Sequence, residues 1–482
     1  MDRRPAAVER TRASATQLNR REFLSSTLAS AAFLANATSP KESSAGPLRL
    51  HPANSHYFLW RGKPTVLITA TEHYGAVLNG DFNYARYFQE LKAHGFNLTR
   101  LFSGSYRERP GWFNIAGNTL GPAEDKFICP WARNGDKFDL KKWDAAYFER
   151  LKDFIAKASD AGVVVELVLF CTMYGDEFWD ASPMNVRNNV NGIGDLAKNK
   201  IYGAATGPLF DAQSRMVRKL VTELNAFDNL YYEVCNEPYE RSGITKEWND
   251  TIVAAIVDSE ANLPKKHLIA QNFSPSNSAI SDLNPHVSIL NFHAAKPEVA
   301  RANYHLNRVL AFDETGGSDQ SDRKYRTEGW DWIMAGGAVY DHLDFSFTTD
   351  RPDGSAAPLA PGTPGGGGPE LRRQLRVMKQ FIESFDFVRM APANAIIKDQ
   401  KIVGTGNAHV LAEEGQAYLI YINGGTQAEL MLELPTGKYK AEWLNTRTGA
   451  IAKVDFLRDA EEKYAVSSPN YSEDIAVRVK RQ

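Results

Sequence analysis

From residue 65 onward, short runs of β-branched and aliphatic residues alternate with longer stretches in which apolar side chains return every three or four positions. The runs read as strands buried on both faces, and the stretches as helices with one apolar face. Together they form the repeating unit of a parallel sheet. The strand candidates are 65–70, 97–102, 163–170, 230–234, 267–272, 287–292, 309–312 and 338–345. Between them, Trp143, Tyr147, Phe148, Leu151, Phe154 and Ile155, and again Met216, Val217, Leu220, Val221 and Leu224, fall at helical spacing. Eight such units close an α/β barrel of the TIM, or (β/α)8, type. A doubly wound sheet is the competing arrangement. It is rejected because no Gly-x-Gly-x-x-Gly joins an early strand to a helix, and the glycines at 365–368 lie in a proline-rich stretch. That stretch, 348–369, reads as a flexible connection over the barrel mouth, ahead of a last helix at 370–385.

After residue 390 the period changes to two. Ala417, Leu419 and Tyr421 alternate with Tyr418, Ile420 and Ile422, and further strands are expected at 429–434, 439–444 and 475–479. Asn423-Gly424-Gly425 and Pro435-Thr436-Gly437 supply turns. A small β-sandwich over 391–482 therefore follows a barrel domain over 38–390. A chain of 482 residues is also too long for one ordinary core.

The segment 1–37 reads as an address. Asn19-Arg20-Arg21-Glu22-Phe23-Leu24 precedes an apolar run at 24–34 and the triplet Ala35-Asn36-Ala37. The pattern resembles a twin-arginine export signal, and the run is well short of the roughly 20 residues that span a bilayer. A periplasmic or secreted bacterial protein, with no membrane span in the mature chain, is the expectation.

Charged residues make up 24% of the chain and the formal net charge is -2, so no nucleic-acid surface is indicated. The three cysteines, Cys129, Cys171 and Cys235, form neither a disulfide framework nor a zinc pattern. The histidines show no ligand spacing, so no metal and no cofactor are expected. Long aromatic-rich connections at 103–140 and 172–208 follow the second and third strands. They would shape a pocket in which Trp112, Trp131, Tyr174, Trp179 and Tyr202 are candidate sugar-stacking platforms.

Two glutamates end opposite strands. Tyr231-Tyr232-Glu233-Val234-Cys235-Asn236-Glu237-Pro238 carries one to the rim after the fourth strand, and Ala311-Phe312-Asp313-Glu314-Thr315-Gly316-Gly317 carries the other after the seventh. Cleaving an acetal needs one carboxyl to protonate the leaving oxygen and a second to attack or assist at the anomeric carbon. Glu237 and Glu314 fit that pair. An arginine near Glu314 would keep it anionic, and burial near that anion would keep Glu237 protonated, leaving Asn236 free for a sugar 2-hydroxyl. His73 and Tyr74 follow the first strand at the rim as subsite candidates. Glu166 and Glu233, inside strands, read as paired structural carboxylates, and Cys235 as a buried filler.

On these motifs the chain resembles retaining glycoside hydrolases of the (β/α)8 clan, the cellulase-like group containing family 5. The likeness runs from about residue 49 to 385. It implies that Glu237 is the acid/base and Glu314 the nucleophile, with Arg100 in Asn97-Leu98-Thr99-Arg100 and His293 in Leu290-Asn291-Phe292-His293 matching the clan's strand-two arginine and strand-six His or Tyr. Many members have a tryptophan after strand eight, where this chain reads His342-Leu343-Asp344-Phe345-Ser346-Phe347. Asp344 is counted there as a substrate contact, with Asn236, Arg100, His293, His73, Tyr74 and Trp179. The opening His51-Pro52 and Phe58-Leu59-Trp60-Arg61-Gly62-Lys63-Pro64, together with the sandwich, are similar to an apiosidase-like bacterial branch whose tail is named for collagen binding. The expected partner is a plant or microbial oligosaccharide or polysaccharide. The alternative is a non-catalytic carbohydrate-binding protein on the same scaffold.

Overall fold

The computed structural model describes residues 46–482 apart from 274–277, 316–318 and 460–462. The expected export signal at 1–37 and Gly316-Gly317 lie outside the described residues. Eight parallel strands form one sheet: β1 (Leu67–Thr71), β2 (Leu98–Phe102), β3 (Val164–Cys171), β4 (Leu230–Asn236), β5 (Ile269–Asn272), β6 (Ile289–His293), β7 (Val309–Glu314) and β8 (Val339–Leu343). Their order is β1-β8-β7-β6-β5-β4-β3-β2. All eight coincide with runs read from the sequence, and nearly every residue in them is buried.

The seam between β1 and β2 is closed mainly by a side chain. The Asn97 amide donates to the Val66 carbonyl at 2.8 Å and accepts from the Ile68 N–H at 3.1 Å, mimicking a strand on both sides. Beyond it, Phe102 N–H donates to the Tyr74 carbonyl at 2.9 Å.

Around the sheet lie α1 (Tyr84–His94), α2 (Ala145–Ala161), α3 (Pro208–Leu224), α4 (Lys246–Glu260), α5 (Pro297–Asn303), α6 (Asp322–Met334) and α7 (Pro369–Glu383). In α2, Asp144 caps the N-terminus by accepting from Ala146 and Tyr147, and Gly162 ends the helix at φ 77°. The predicted face of Tyr147, Phe148, Leu151, Phe154 and Ile155 is the buried one. Between β5 and β6 there is no helix among the described residues, in a stretch broken by serines, asparagines and prolines. A three-stranded meander, Arg49–His51, Asn54–Trp60 and Lys63–Thr65, covers the end where the barrel strands start. It is held there by Arg61 to Asp228 at 2.7 Å and Ser55 to the Asn307 carbonyl at 2.9 Å. No described helix is long and apolar enough to cross a membrane.

The C-terminal strands are β9 (Ala391–Pro392), β10 (Ile397–Ile402), β11 (Gly406–Glu413), β12 (Ala417–Gly424), β13 (Ala428–Glu433), β14 (Gly437–Leu444), β15 (Ile451–Asp459), β16 (Lys463–Ser467) and β17 (Asp474–Arg481). They form a six-stranded sheet, β9-β11-β12-β17-β14-β15, and a three-stranded sheet, β10-β13-β16. Alternation divides β12 cleanly. Tyr418, Ile420 and Ile422 fill the space between the two sheets, whereas Leu419 and Tyr421 join the barrel core, where Trp330 of α6 stacks on Tyr421 with centroids 5.0 Å apart. Beside that stack the buried Arg326 bonds Asp474 at 2.5 Å and Gln374 at 2.5 Å. The sandwich and barrel thus share packing, not merely a tether.

The glycine-rich stretch departs from the flexible connection expected of it. Gly365 and Gly366 are buried at the β8 end, Gly366 N–H bonding the Tyr325 hydroxyl at 3.2 Å. A Cβ on Gly365 would stand 2.5 Å from the Phe345 ring. Glycine here allows close approach rather than motion.

Candidate active site

Strand alternation aims one polar row into the barrel. Arg100 of β2 sits beside Glu166 of β3, which sits beside Tyr231 of β4. Arg100 is completely buried. It reaches Glu233 at 2.6 Å, Asn236 Oδ1 at 2.8 Å, Glu314 at 2.9 Å, Asp313 at 3.2 Å and Glu166 at 3.8 Å. Asn291 donates to both Glu233 and Asp313, and Tyr231 to Glu166 at 2.9 Å. Glu166, Glu233 and Asp313 converge closely enough to hold a cation, but the Arg100 guanidinium already lies among them.

Above this floor, Glu237, Glu314 and His293 meet. One oxygen of each glutamate and one ring nitrogen of His293 lie within 4.8 Å of one another. His293 Nδ1 is 3.2 Å from Glu237 and 3.7 Å from Glu314, while Nε2 is 3.0 Å from Asp313 and 2.8 Å from the Asn272 amide. The two glutamate side chains keep 13% and 18% exposure, against none for Glu233 and Asp313, so these two alone open to the cleft. Local backbone makes this possible. Register slips between Phe292 and His293, which lets Asp313 and Glu314, adjacent in sequence, both reach Arg100. Glu237 takes φ 47°, as does Ala294 after His293, and Tyr74 takes φ 57°. Positive φ in non-glycine residues costs energy and clusters where function holds it in place.

Tyr174, on the loop after β3, donates to Glu237 Oε2 at 2.5 Å and accepts from the Asn236 amide at 3.0 Å. Tyr239 N–H and Thr172 Oγ1 hold the Glu237 carbonyl. The proton distribution follows from these partners. Burial acts to raise Glu237, but the hydrogen bond and charge of His293 and the Tyr174 hydroxyl outweigh it and hold the carboxyl at about 2. Burial would lower His293, yet the Glu314 charge and bonds to Asp313 and Glu237 raise it well above its ordinary value. Glu314 is raised by burial and by the nearby Glu237, against the pull of His293 and Arg100. The free protein therefore reverses the expected split of a low Glu314 and a high Glu237. The reason is that Arg100 divides its charge among four carboxylates, while Glu237 accepts from His293 and from the Tyr174 and Tyr239 hydroxyls.

Other expected residues divide. Tyr74 stacks on Phe102 with Arg100 4.8 Å from its ring, and its buried hydroxyl has no partner among the described residues, leaving it able to bond a substrate. His73 lies between Tyr74 and Phe345, 3.8 Å from Glu108, and burial lowers it to about 4. Asn236 is not free, because Arg100 and Tyr174 occupy both ends of its amide. Asp344 is not brought to the cleft: it is fully buried, bonded to Arg372 at 2.6 Å and to Ser346. Trp179 is also buried, its indole N–H donating to the Leu196 carbonyl at 2.8 Å, and Trp131 and Tyr202 are internal. Among the proposed platforms only Trp112 and Tyr174 stay half-buried. Sequence reasoning missed the role of Tyr174 beside Glu237 and of Asp313 beside Arg100. Only Asp313's place one residue before the glutamate hinted at it.

Residues 57–340, more than half of the chain, match the sequence model of the cellulase family, glycosyl hydrolase family 5. Among solved structures, the chain is similar to a glycoside hydrolase family 5 protein from Bacteroides vulgatus ATCC 8482, with 12% identity, TM-score 0.59, and coverage of 91% of this chain and 93% of that one. A second protein of that organism, provisionally described as a glycoside hydrolase, has 12% identity, TM-score 0.64, and coverage of 92% and 83%. A further glycoside hydrolase has 13% identity, TM-score 0.58, and coverage of 91% and 98%. At these identities the structures speak to the fold. No curated protein matches the chain.

Proposed function

The chain belongs to the cellulase family, glycosyl hydrolase family 5, and is a glycosidase; from that premise we propose that it hydrolyses its glycan by a retaining double displacement, with Glu314 as nucleophile and Glu237 as acid/base. The observation that carries this reading is the approach of their carboxylate oxygens to within 4.8 Å. Carboxyl groups about 5 to 5.5 Å apart suit covalent capture, whereas inversion needs roughly 6.5 to 9.5 Å to admit a water.

Each step has a residue suited to it. Glu314 forms a bond to the anomeric carbon as the bond to the leaving oxygen breaks, and that oxygen takes a proton from Glu237. Because Glu237 rests ionised, its proton comes from His293, whose Nδ1 stands 3.2 Å away. Water then attacks the glycosyl-enzyme while Glu237 accepts its proton and returns it to His293. Arg100 keeps Glu314 oriented, and Tyr74 offers its hydroxyl to the bound sugar. Two finer points belong to the same reading. The paired arginines at 20 and 21 support export, and the opening stretch with the sandwich supports an apiosidase-like branch acting on a plant or microbial glycan.

Glu314→Gln tests the reading. Hydrolysis should fall by at least about a thousandfold while glycan binding by calorimetry persists. Turnover that survives the substitution would overturn it.

A further inference from the structure

One edge of the sandwich lacks the protection that its other edges have. In the six-stranded sheet, β9 is two residues long and ends in Pro392, which has no N–H. At the edge of the three-stranded sheet, β10 shows solvent Lys398, Asp399, Gln400 and Lys401. Short length, proline and charge are the usual guards of a sheet edge. β15 ends the six-stranded sheet on its other side and runs for nine residues. Of the seven large apolar residues exposed among the described residues, three belong to it: Ile451, Val454 at 43% and Phe456 at 66%.

Its backbone is open as well. The Gln482 N–H bonds the Lys438 carbonyl, so even-numbered residues of β14 turn to β17 and odd-numbered ones to β15. Across from those odd-numbered residues stand Lys453, Asp455 and Leu457. Val454 and Phe456 therefore aim their N–H and C=O groups away from β14, on the side where β15 has no strand neighbour among the described residues. The residues that present apolar side chains thus also present the free backbone.

The strand is complementary to itself. Antiparallel pairing of these outward groups about a two-fold axis can be centred on Val454, Asp455 or Phe456. Centring on Asp455 sets the two copies' Asp455 carboxylates against each other. Centring on Phe456 sets Arg458 against Val454 and Asp455 against Leu457. Centring on Val454 places Lys453 of each copy across from Asp455 of the other, and the Phe456 ring across from the small Ala452. Lys453 and Asp455 lie 3.1 Å apart within one copy and keep 36% and 26% exposure, so both can meet a second chain. Opposite charges across two strands stabilise the pair, and like charges destabilise it.

We propose that β15 is a homodimerisation edge, through which two copies of this chain pair antiparallel about Val454 and join their six-stranded sheets into one.

Sedimentation velocity of the purified protein between about 1 and 100 µM tests this, the range in which a small interface associates. Wild type should pass from monomer to dimer. Lys453→Asp and Asp455→Lys, each alone, bring like charges together and should weaken association at least about tenfold. Their one-to-one mixture restores both cross-strand pairs and should dimerise as wild type does. Retained hydrolysis shows that each variant is folded, since both residues lie in the sandwich. In wild type, hydrogen exchange at the Val454 and Phe456 amides should slow as concentration rises, a readout that needs no variant. A wild type that stays monomeric at about 100 µM would overturn the proposal, as would exchange that ignores concentration. So would a single variant that dimerises like wild type, or a mixture of folded variants no more associated than its components.

Discussion

Replacing Tyr174 with phenylalanine removes one oxygen from the site and leaves the ring, set edge-on among Tyr106, Phe113 and Phe178, in place. What is lost is an O–H donated to Glu237 at 2.5 Å and an acceptor for the Asn236 amide at 3.0 Å. A hydrogen bond to a charged group contributes about 1.5 to 3 kcal/mol, equivalent to roughly one to two pKa units on the carboxyl that receives it. Because this bond helps hold Glu237 at about 2, its loss raises Glu237 and destabilises every form of the His293–Glu237 pair in which the glutamate is ionised. Removal of the His293 proton starts and ends in such a form, so the alkaline limb of kcat/KM should stay where it was, while a 13C-NMR titration of the Glu237 carboxyl should move up by roughly one to two units. Near-neutral kcat should fall about tenfold through lost positioning of the carboxyl. A folded Tyr174→Phe enzyme whose Glu237 titration is unmoved or moves down would refute the claim that this hydroxyl helps hold the acid/base ionised.

Arg326→Met should cost about 3 to 5 kcal/mol, since the Asp474 side chain is fully buried and loses the one cation paired with it among the described residues; denaturant unfolding measures it, and a loss under about 1 kcal/mol would contradict the role of the sandwich contact. Glu72 is raised by burial to about 7, so its contribution is complete below its ordinary value near 4.5 and is lost as pH rises through 7. Glu72→Gln should therefore flatten the fall in unfolding free energy between about pH 4.5 and 7, by up to about 3 kcal/mol, and equal slopes in the two proteins would sink this. His73 and His342, lowered by burial to about 4, have the opposite sign, their contribution being complete above 6.5 and lost only as pH falls through 4. Gly365→Ala should destabilise by about 1 to 3 kcal/mol by driving a methyl into Phe345, and a neutral outcome would restore the picture of a loose glycine loop.

The strands of the barrel were legible because burial on both faces leaves runs such as Val164–Cys171 with little but apolar residues, and β7 was legible even though it ends in two acids. The rim positions of Glu237 and Glu314 were legible for a related reason: a strand of known end places the residue that finishes or follows it at the rim. Their protonation was not. It depends on Arg100 meeting side chains from β3, β4 and β7 at once, a sharing that no local spacing records. Asp344 and Trp179 misled because position at a strand end or in a long loop says nothing of a buried partner, Arg372 in one case and the Leu196 carbonyl in the other. The glycines at 365–368 misled in the same way, because the same lack of a side chain serves both flexibility and close packing.

The most direct test of the two-carboxylate account is a trapping experiment with a 2-deoxy-2-fluoro glycoside of the accepted glycon, followed by peptide mass spectrometry. The account predicts a stable glycosyl adduct on the peptide that contains Glu314, and none in Glu314→Gln. Steady turnover with an inverted first product and no adduct, or an adduct on any other residue, would contradict it.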